Sequence, residues 1–526
     1  MKKLPAVTVY TPKGKVLVAI LRGLLRGVHF IMGRKWAVPP PFFHDDPRHY
    51  TARDLLFFAY KYYFKPPCRD AIYRVSRRAE CQINAKNESQ NIENVGRVQR
   101  QDAINRVSTD VEQFFNDHPP VFPIQNIEPE RTVTLTAAGD LMPYEWIQPQ
   151  FCMHLWDDIG DDFFNSDITF ANLETPIDTS KPPSFVPEVM LSDMLFNGDE
   201  TMFSIFNGNN FKSNTTKRIG FDILGTANNH SLDMDEAGVY ATIDFLKNKN
   251  IQHIGTANSR EERDKTTIIE RNGIRLAFIS YTFSMNQKIN PVDKPWLVNH
   301  LEVNQPDVDL SVLSQDIVRA KEQNADLVIL SLHYGNAYQA YPCAHIVDNT
   351  KRIFEECGAD IILGGHPHNI QPMASYPFTC PHTGVEKRGF VLFSFGDFVA
   401  YDIFNWCHLP VYLKLEIGLI NGESLSVNEN PTSDTSLRDT KRSNPIYTEG
   451  EERRVILTKV EAVPVYVCGN YRSRTDRYLR FLDARKTLAL IEAGQTPSFM
   501  TAWNVRELRG LMQFYNDFFA KNIIGN

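Results

Sequence analysis

A chain of 526 residues with 42 % hydrophobic and 23 % charged residues carries enough apolar material for a sizeable core, which excludes general disorder. At about 150 residues per domain, its length suggests about three units. The formal charge of −7 hides an asymmetry: residues 1–80 hold 16 Lys and Arg against 5 Asp and Glu, leaving the rest at −18 and arguing against nucleic acid as a partner.

The basic leader comes first. Val16–Met32 is apolar but interrupted by Arg22 and Arg26, and no small-residue cleavage site follows it, so it does not read as a secretory signal. Two central arginines, each costing roughly 2.5–3.5 kcal/mol, argue against a membrane span. Drawn as a helix, residues 15–33 place Lys15, Arg22, Arg26 and His29 on one narrow face and Leu17, Ile20, Leu21, Leu24, Leu25, Val28 and Ile31 on the rest. Such a segment suits an anionic membrane surface, or a helix docked on the protein's own body with its basic face wet. Leu55–Phe64 is crowded with aromatics, which suits an interface or a core, and residues 70–115 read as a polar connector. The expectation is a helical, aromatic-rich extension over residues 1–130.

From Arg131 strands alternate with amphipathic helices, which predicts βαβ units and a mainly parallel sheet. The runs Val133–Ala138, Ile168–Ala171, Phe221–Leu224, Leu276–Tyr281, Leu327–Leu332, Ile361–Leu363 and Phe390–Phe395 each read as a strand. Val239, Tyr240, Ile243 and Leu246 mark one helix, with Asp233 and Glu236 resembling a capping arrangement at its start. Leu310, Leu313, Ile317 and Ala320 mark a second, and Ile346, Ile353, Phe354 and Cys357 a third, stopped by Gly358. The long stretch Pro176–Gly220 reads as an insertion shaping a site. Val411–Ile417, Arg454–Val460 and Val463–Val467 predict further strands, with Ser424–Arg442 as a surface excursion. Leu479, Leu482, Leu488 and Ile491, then Leu508, Met512, Tyr515 and Phe519, predict a helical tail over 469–526, leaving 131–468 as the central domain. Eight cysteines without repeated spacing read as reduced core thiols and suggest a reducing compartment.

Five of these strands stop on residues able to hold a metal: Asp140, Glu174, Asn228-Asn229-His230, His333, and Gly364-Gly365-His366-Pro367-His368. Ligands of open α/β sheets bind outside the carboxyl ends of the strands, so loops distant in sequence converge there. Taken singly, Asp140, Glu174, Asn228-Asn229-His230 and His333 are weak signals, each readable as a turn or a satisfied histidine, whereas His366-Pro367-His368 after two glycines is a stronger one. Their coincidence at five strand ends is what points to a metal centre. Carboxylate, carboxamide and imidazole without thiolate suit Mn, Fe, Zn or Ni rather than Ca. Glu174 is the candidate to bridge two ions, and His230 a candidate acid or charge stabiliser at a leaving group.

These segments resemble the CapA family of poly-γ-glutamate capsule biosynthesis proteins, a branch of the calcineurin-like metallophosphoesterase superfamily. The resemblance is carried by Ala138-Gly139-Asp140-Leu141-Met142, Phe170-Ala171-Asn172-Leu173-Glu174-Thr175-Pro176, Ala227-Asn228-Asn229-His230-Ser231-Leu232-Asp233, His333-Tyr334-Gly335, Gly364-Gly365-His366-Pro367-His368 and Phe393-Ser394-Phe395-Gly396-Asp397-Phe398, all in the family order. It covers about residues 131–400 and implies a four-layer α/β/β/α metallophosphoesterase-like sandwich. Asp140, Glu174, Asn229, His333, His366 and His368 would ligate one or two divalent ions (Mn, Fe or Zn), and His230 would be the catalytic histidine. Asn172, Asn228 and Tyr334, inside the same motifs, are the expected substrate-binding residues. Broader metallophosphoesterases carry histidine where Met142 stands and aspartate where Glu174 stands, so one ion or two remain open. Family members commonly carry asparagine where this chain has Asp397, an acid that would add a ligand or cap a loop.

The expected function is that of a CapA-like metal-dependent hydrolase in capsule, poly-γ-glutamate or cell-envelope polymer biosynthesis, acting on an anionic polymer or phosphoester. It would be cytoplasmic and peripheral to the membrane. The alternative is a non-catalytic, membrane-apposed polymer-binding component of a capsule machine.

Overall fold

The computed structural model describes residues 109–520, apart from 123, 125–127, 187–194, 214, 216–217, 287, 400–404, 422–452 and 471–476, together with seven separate positions between Val16 and Ile31. Leu55–Phe64, the connector up to residue 108, and Ser424–Arg442 lie outside the described residues. The first elements are α1 (Thr109–Asp117), β1 (Arg131–Leu141), β2 (Ile168–Leu173), α2 (Glu200–Phe206), β3 (Ile223–Gly225), α3 (Asp235–Asn248) and β4 (Gln252–Ile254). Next come β5 (Thr267–Arg271), β6 (Ile274–Thr282), α4 (Ser311–Glu322), β7 (Leu327–His333), α5 (Ala344–Arg352, widening into a π turn over Ile353–Cys357) and β8 (Ile361–Gly365). The remainder are β9 (Ile370–Thr379), β10 (Glu386–Phe395), β11 (Asp397–Val399), β12 (Val411–Asn421), β13 (Arg453–Gly469), β14 (Leu479–Asp483), α6 (Ala484–Glu492) and α7 (Ala502–Phe514).

Two sheets result. One runs β14-β13-β12-β1-β2-β3-β4, with the short β11 also paired to β1; the other runs β5-β6-β7-β8-β10-β9. In the first, parallel β1-β2-β3-β4 run to one edge with antiparallel strands beyond β1; in the second, parallel β6-β7-β8-β10 lie between antiparallel β5 and β9. Parallel strands covered on both faces should be apolar throughout, and β2, β7 and β8 are buried at every position. Side chains alternate between faces. Leu135, Ala137, Phe170 and Ile223 therefore face the second sheet in one core, where the Phe170 and Phe278 rings stack at 6.5 Å, while Ala138, Ala171 and Leu224 face a separate core containing Phe203, Phe206 and Leu246. Leu313, Ile317 and Ala320 of α4 and Ile346 and Val347 of α5 cover the second sheet. The layers are thus α/β/β/α.

All seven strand runs of the central unit lie in strands, the third reduced to Ile223–Gly225. Gly358 stops the α5 turn in the left-handed region, at φ 77°. Three local expectations differ. Asp233 does not cap α3: the N-cap position is Met234, without a side-chain cap, and the Asp233 carboxylate turns to His230 instead. Arg454–Val460 and Val463–Val467 form one continuous strand, β13, whose Pro464 is tolerated opposite Val411. Leu479 and Leu482 lie in β14, which pairs with β13, so the tail opens with a strand before its helices. Within the connector, Val111, Phe114 and Phe115 form the buried face of α1, with both Phe rings edge-on to Phe393. Full burial of each such ring contributes roughly 1.5–3 kcal/mol.

Six cysteines, Cys152, Cys343, Cys357, Cys380, Cys407 and Cys468, are free and buried; Cys68 and Cys81 lie outside the described residues. No helix among the described residues is long and apolar enough to cross a membrane.

Candidate metal centre

The strand ends meet because glycines let backbones touch. A Cβ on Gly139 would lie 2.1 Å from the Gly396 carbonyl oxygen, and one on Gly364 would lie 2.1 Å from that of Phe393. A Cβ on Gly365 would lie 2.7 Å from Asp140 Oδ1, so this glycine makes room for a carboxylate. Register carries the rest. Asp140 sits opposite Asn172 on one side and Asp397 on the other, and His333 sits opposite Gly365.

Asp140 is fully buried. Its Oδ1 accepts from Asn172 Nδ2 at 2.6 Å and its Oδ2 from the His366 backbone N–H at 2.9 Å. Burial pushes its carboxyl above the ordinary range, with neighbouring Glu174 adding to the push. Glu174 follows β2 directly and is held there by its N–H donating to Leu141 O at 3.1 Å. It too is fully buried, yet neither carboxylate oxygen has a hydrogen-bond partner. His333 Nε2 stands 3.5 Å from Glu174 Oε1 and 2.8 Å from Asn229 Oδ1. Burial holds the His333 imidazole well below its ordinary value, the neutral form a metal requires.

His366 and His368 both adopt left-handed backbone angles, φ 92° and 63°, a strain that turns the two rings into the site. The His366 ring centroid is 4.9 Å from that of His333, and the His368 ring stacks on Tyr338 at 5.1 Å. Two donor sets share Glu174: Glu174, His333 and His366 offer atoms within 4.8 Å of one another, and Glu174, His368 and Asp397 do the same. A buried carboxylate without donors, surrounded by imidazole nitrogens, fits a cation and little else, since leaving it bare would cost several kcal/mol. The residues present fit a divalent metal.

His230 stands beside this cluster. Its Nδ1 pairs with Asp233 Oδ2 at 2.7 Å, its ring stacks on Phe196 at 3.7 Å, and its Nε2 lies 4.0 Å from Glu174 Oε1. Asp233 also accepts the Phe196 N–H at 2.6 Å. Burial raises its carboxyl and the facing His230 opposes that shift.

All seven residues expected as ligands or catalytic acid therefore come together. The three expected to bind substrate do not suit that role. Tyr334 is 1 % exposed and stacks on Phe393 in the core. Asn172 spends its amide on Asp140, and Asn228 donates to Leu173 O at 2.7 Å and accepts the His230 N–H at 3.1 Å, so both fix the loops that carry ligands. Sequence reasoning missed Asp233 as the partner of His230, although a spacing of three residues in a tight turn permits it. It also missed Asn286, whose Oδ1 accepts from Asn229 Nδ2 at 3.2 Å, and for which the sequence carries no signal.

Comparison with known proteins follows the same residues. The family model described as bacterial capsule synthesis protein PGA_cap matches residues 134–402. The capsule biosynthesis protein CapA of Bacillus anthracis is 26 % identical over 287 residues, 53 % of this chain and 62 % of that protein. The PGA biosynthesis protein CapA of Bacillus subtilis strain 168 is 27 % identical over 187 residues, 35 % of this chain and 43 % of that protein. The chain thus covers less than two thirds of either relative. Among solved structures, the calcineurin-like phosphoesterase YfkN of Bacillus subtilis aligns over 73 % of this chain and 98 % of its own at 12 % identity, with a TM-score of 0.31 too low to argue from. The matched stretch spans just over half of the chain and every strand end that builds the centre, and the chain belongs to the PGA_cap family of bacterial capsule synthesis proteins.

Proposed function

We propose that this protein is a metal-dependent hydrolase of phosphoester or γ-linked polymer bonds, serving capsule, poly-γ-glutamate or cell-envelope polymer synthesis. The observation that carries the reading is Glu174, a buried carboxylate with both oxygens unpartnered amid three imidazoles. Glu174, Asn229, His333, His366 and His368 would hold one or two divalent ions (Mn, Fe or Zn), with Asp140 behind them fixing the His366 backbone. A divalent ion bound there supplies Lewis acidity toward a phosphoryl or carbonyl oxygen. Asp233 holds Nδ1 of His230, so Nε2 faces the cluster and can hand a proton to a leaving oxygen. The Phe196 ring fixes the plane of that imidazole and keeps water from its face.

The test is metal analysis of purified protein together with hydrolysis of a generic phosphodiester. Expected are stoichiometric transition metal, turnover that falls about 10²–10⁴-fold in His230→Ala with metal retained, and loss of both in Glu174→Ala. Metal-free wild type would refute the reading.

A second reading is that of a membrane-apposed, polymer-binding assembly component. It is favoured by one observation: Val16, Ile20, Leu24 and Ile31 are helical and 55–82 % exposed, an uncovered apolar face within the basic leader. Metal-loaded protein that hydrolyses neither phosphodiester nor γ-glutamyl polymer, and floats with anionic vesicles only when residues 1–35 are present, would favour it. A cytoplasmic, membrane-peripheral setting goes with both readings.

A further inference from the structure

Resting on the metal reading above, we propose that Asp397 is a direct ligand of a second ion, which it would hold together with Glu174 and His368. The route of the chain places it there. β10 belongs to one sheet and β11 to the other, and only Gly396, at φ 76°, separates them. Asp397 is the first residue after this crossing, opposite Asp140 in the parallel pairing of β1 with β11. Its side chain is fully buried, and its Oδ1 lies 2.8 Å from His368 Nδ1.

Donor accounting favours ligation. Donors bind such ions at about 2.0–2.2 Å, so two donors on one ion stand about 3 Å apart. The Asp397–His368 pair already has that spacing. Glu174, the only member of the set not paired by hydrogen bonds, lies within 4.8 Å of both. Met142, by contrast, is packed in a hydrophobic core and contributes no nitrogen. Asp140 already accepts one hydrogen bond on each oxygen. Glu174 is shared with the first donor set, so Asp397 is the carboxylate that the second set adds, and two divalent ions beside few carboxylates would leave buried charge uncompensated.

The rival role is that of a positioning carboxylate, which would grip His368 Nδ1 so that the other ring nitrogen meets the ion. Two variants separate the roles. Asp397→Asn keeps an oxygen that can accept from His368 but removes the charge. Removal of an outer-shell partner typically weakens metal binding about 10–100-fold. Calorimetric Mn²⁺ titration of the 526-residue chain should show two sites in wild type and, in Asp397→Asn, a second site weakened beyond about 100-fold or lost. Electron paramagnetic resonance should show coupled Mn²⁺ pairs only in wild type. Asp397→Cys loaded with Co²⁺ should show a thiolate-to-cobalt charge-transfer band, which a positioning residue would not produce.

A second site weakened less than about 100-fold in Asp397→Asn, with no such band in Asp397→Cys, would overturn the assignment. So would wild type that binds one ion with an affinity Asp397→Asn leaves unchanged, although the hydrolase reading would survive. Wild type that binds no ion would remove both.

Discussion

His333 shows most directly how burial sets the chemistry of a single residue. It ends a fully buried strand, and desolvation holds its imidazole well below the ordinary 6.5. The unfolded chain takes up this proton near pH 6.5 while the folded chain refuses it, so between 6.5 and the depressed folded value the unfolded state binds more protons. Stability from this group is complete above pH 6.5 and is lost as the pH falls below it. Asp140 works in the opposite sense. Its folded carboxyl is raised, so in the window above its ordinary 3.8 the folded state binds the extra proton and stability declines as pH rises. Thermal melts of chelator-treated protein should therefore lose up to about 1.4 kcal/mol per pH unit below 6.5 from His333, and His333→Gln should flatten that slope. An unchanged slope in the variant would assign the dependence to another group.

Whole elements obey the same balance, and here the sequence was only partly legible. Apolar runs ending on polar residues were enough to locate seven strands, because a parallel strand buried on both faces has no polar alternation to confuse. The candidate ligands were legible because carboxylate, carboxamide and imidazole recur at or just beyond five of those strand ends. Leu479 and Leu482 misled because a spacing of three fits a helix, whereas they pair antiparallel with the end of β13 across the stretch after Gly469. Asp233 misled because an acid just before a helix usually caps it. What outweighed the cap was His230, reachable only once the loop had folded. The tail is held by several such long-range contacts, one of them charged. Glu507 of α7 pairs with His408 Nδ1 at 2.9 Å and accepts from Tyr466 OH at 2.6 Å, all three buried. Removing the acid leaves two polar groups without it in a dry interface. Glu507→Ala should cost about 3 kcal/mol, read as a lower denaturation midpoint. Because Glu507 belongs to neither candidate donor set, metal stoichiometry should not change.

For the whole molecule, the candidate centre lies where two sheets meet, and its candidate donors come from both. Glu174 and Asn229 follow strands of the first sheet, while His333, His366 and His368 belong to the second. An ion held by both sets would act as a cross-link between sheets as well as a reagent. The cores below this edge are apolar and need no such link; the edge itself concentrates the buried Asp140, Glu174 and Asp397, whose charge is costly to leave unbalanced. Metal at about 100 times its dissociation constant should add about 2.7 kcal/mol to folding. Chelation should reverse that gain and should do so locally. Amide hydrogens near Asp140, Leu173, His333 and Gly365 should exchange faster after chelation, whereas those near Arg131, Leu327 and Ile361, at the opposite ends of their strands, should keep their protection. Uniform loss along the strands would mean that the ion stabilises the fold as a whole. Unchanged exchange at the ligand ends would mean that the two sheets hold this edge together without it.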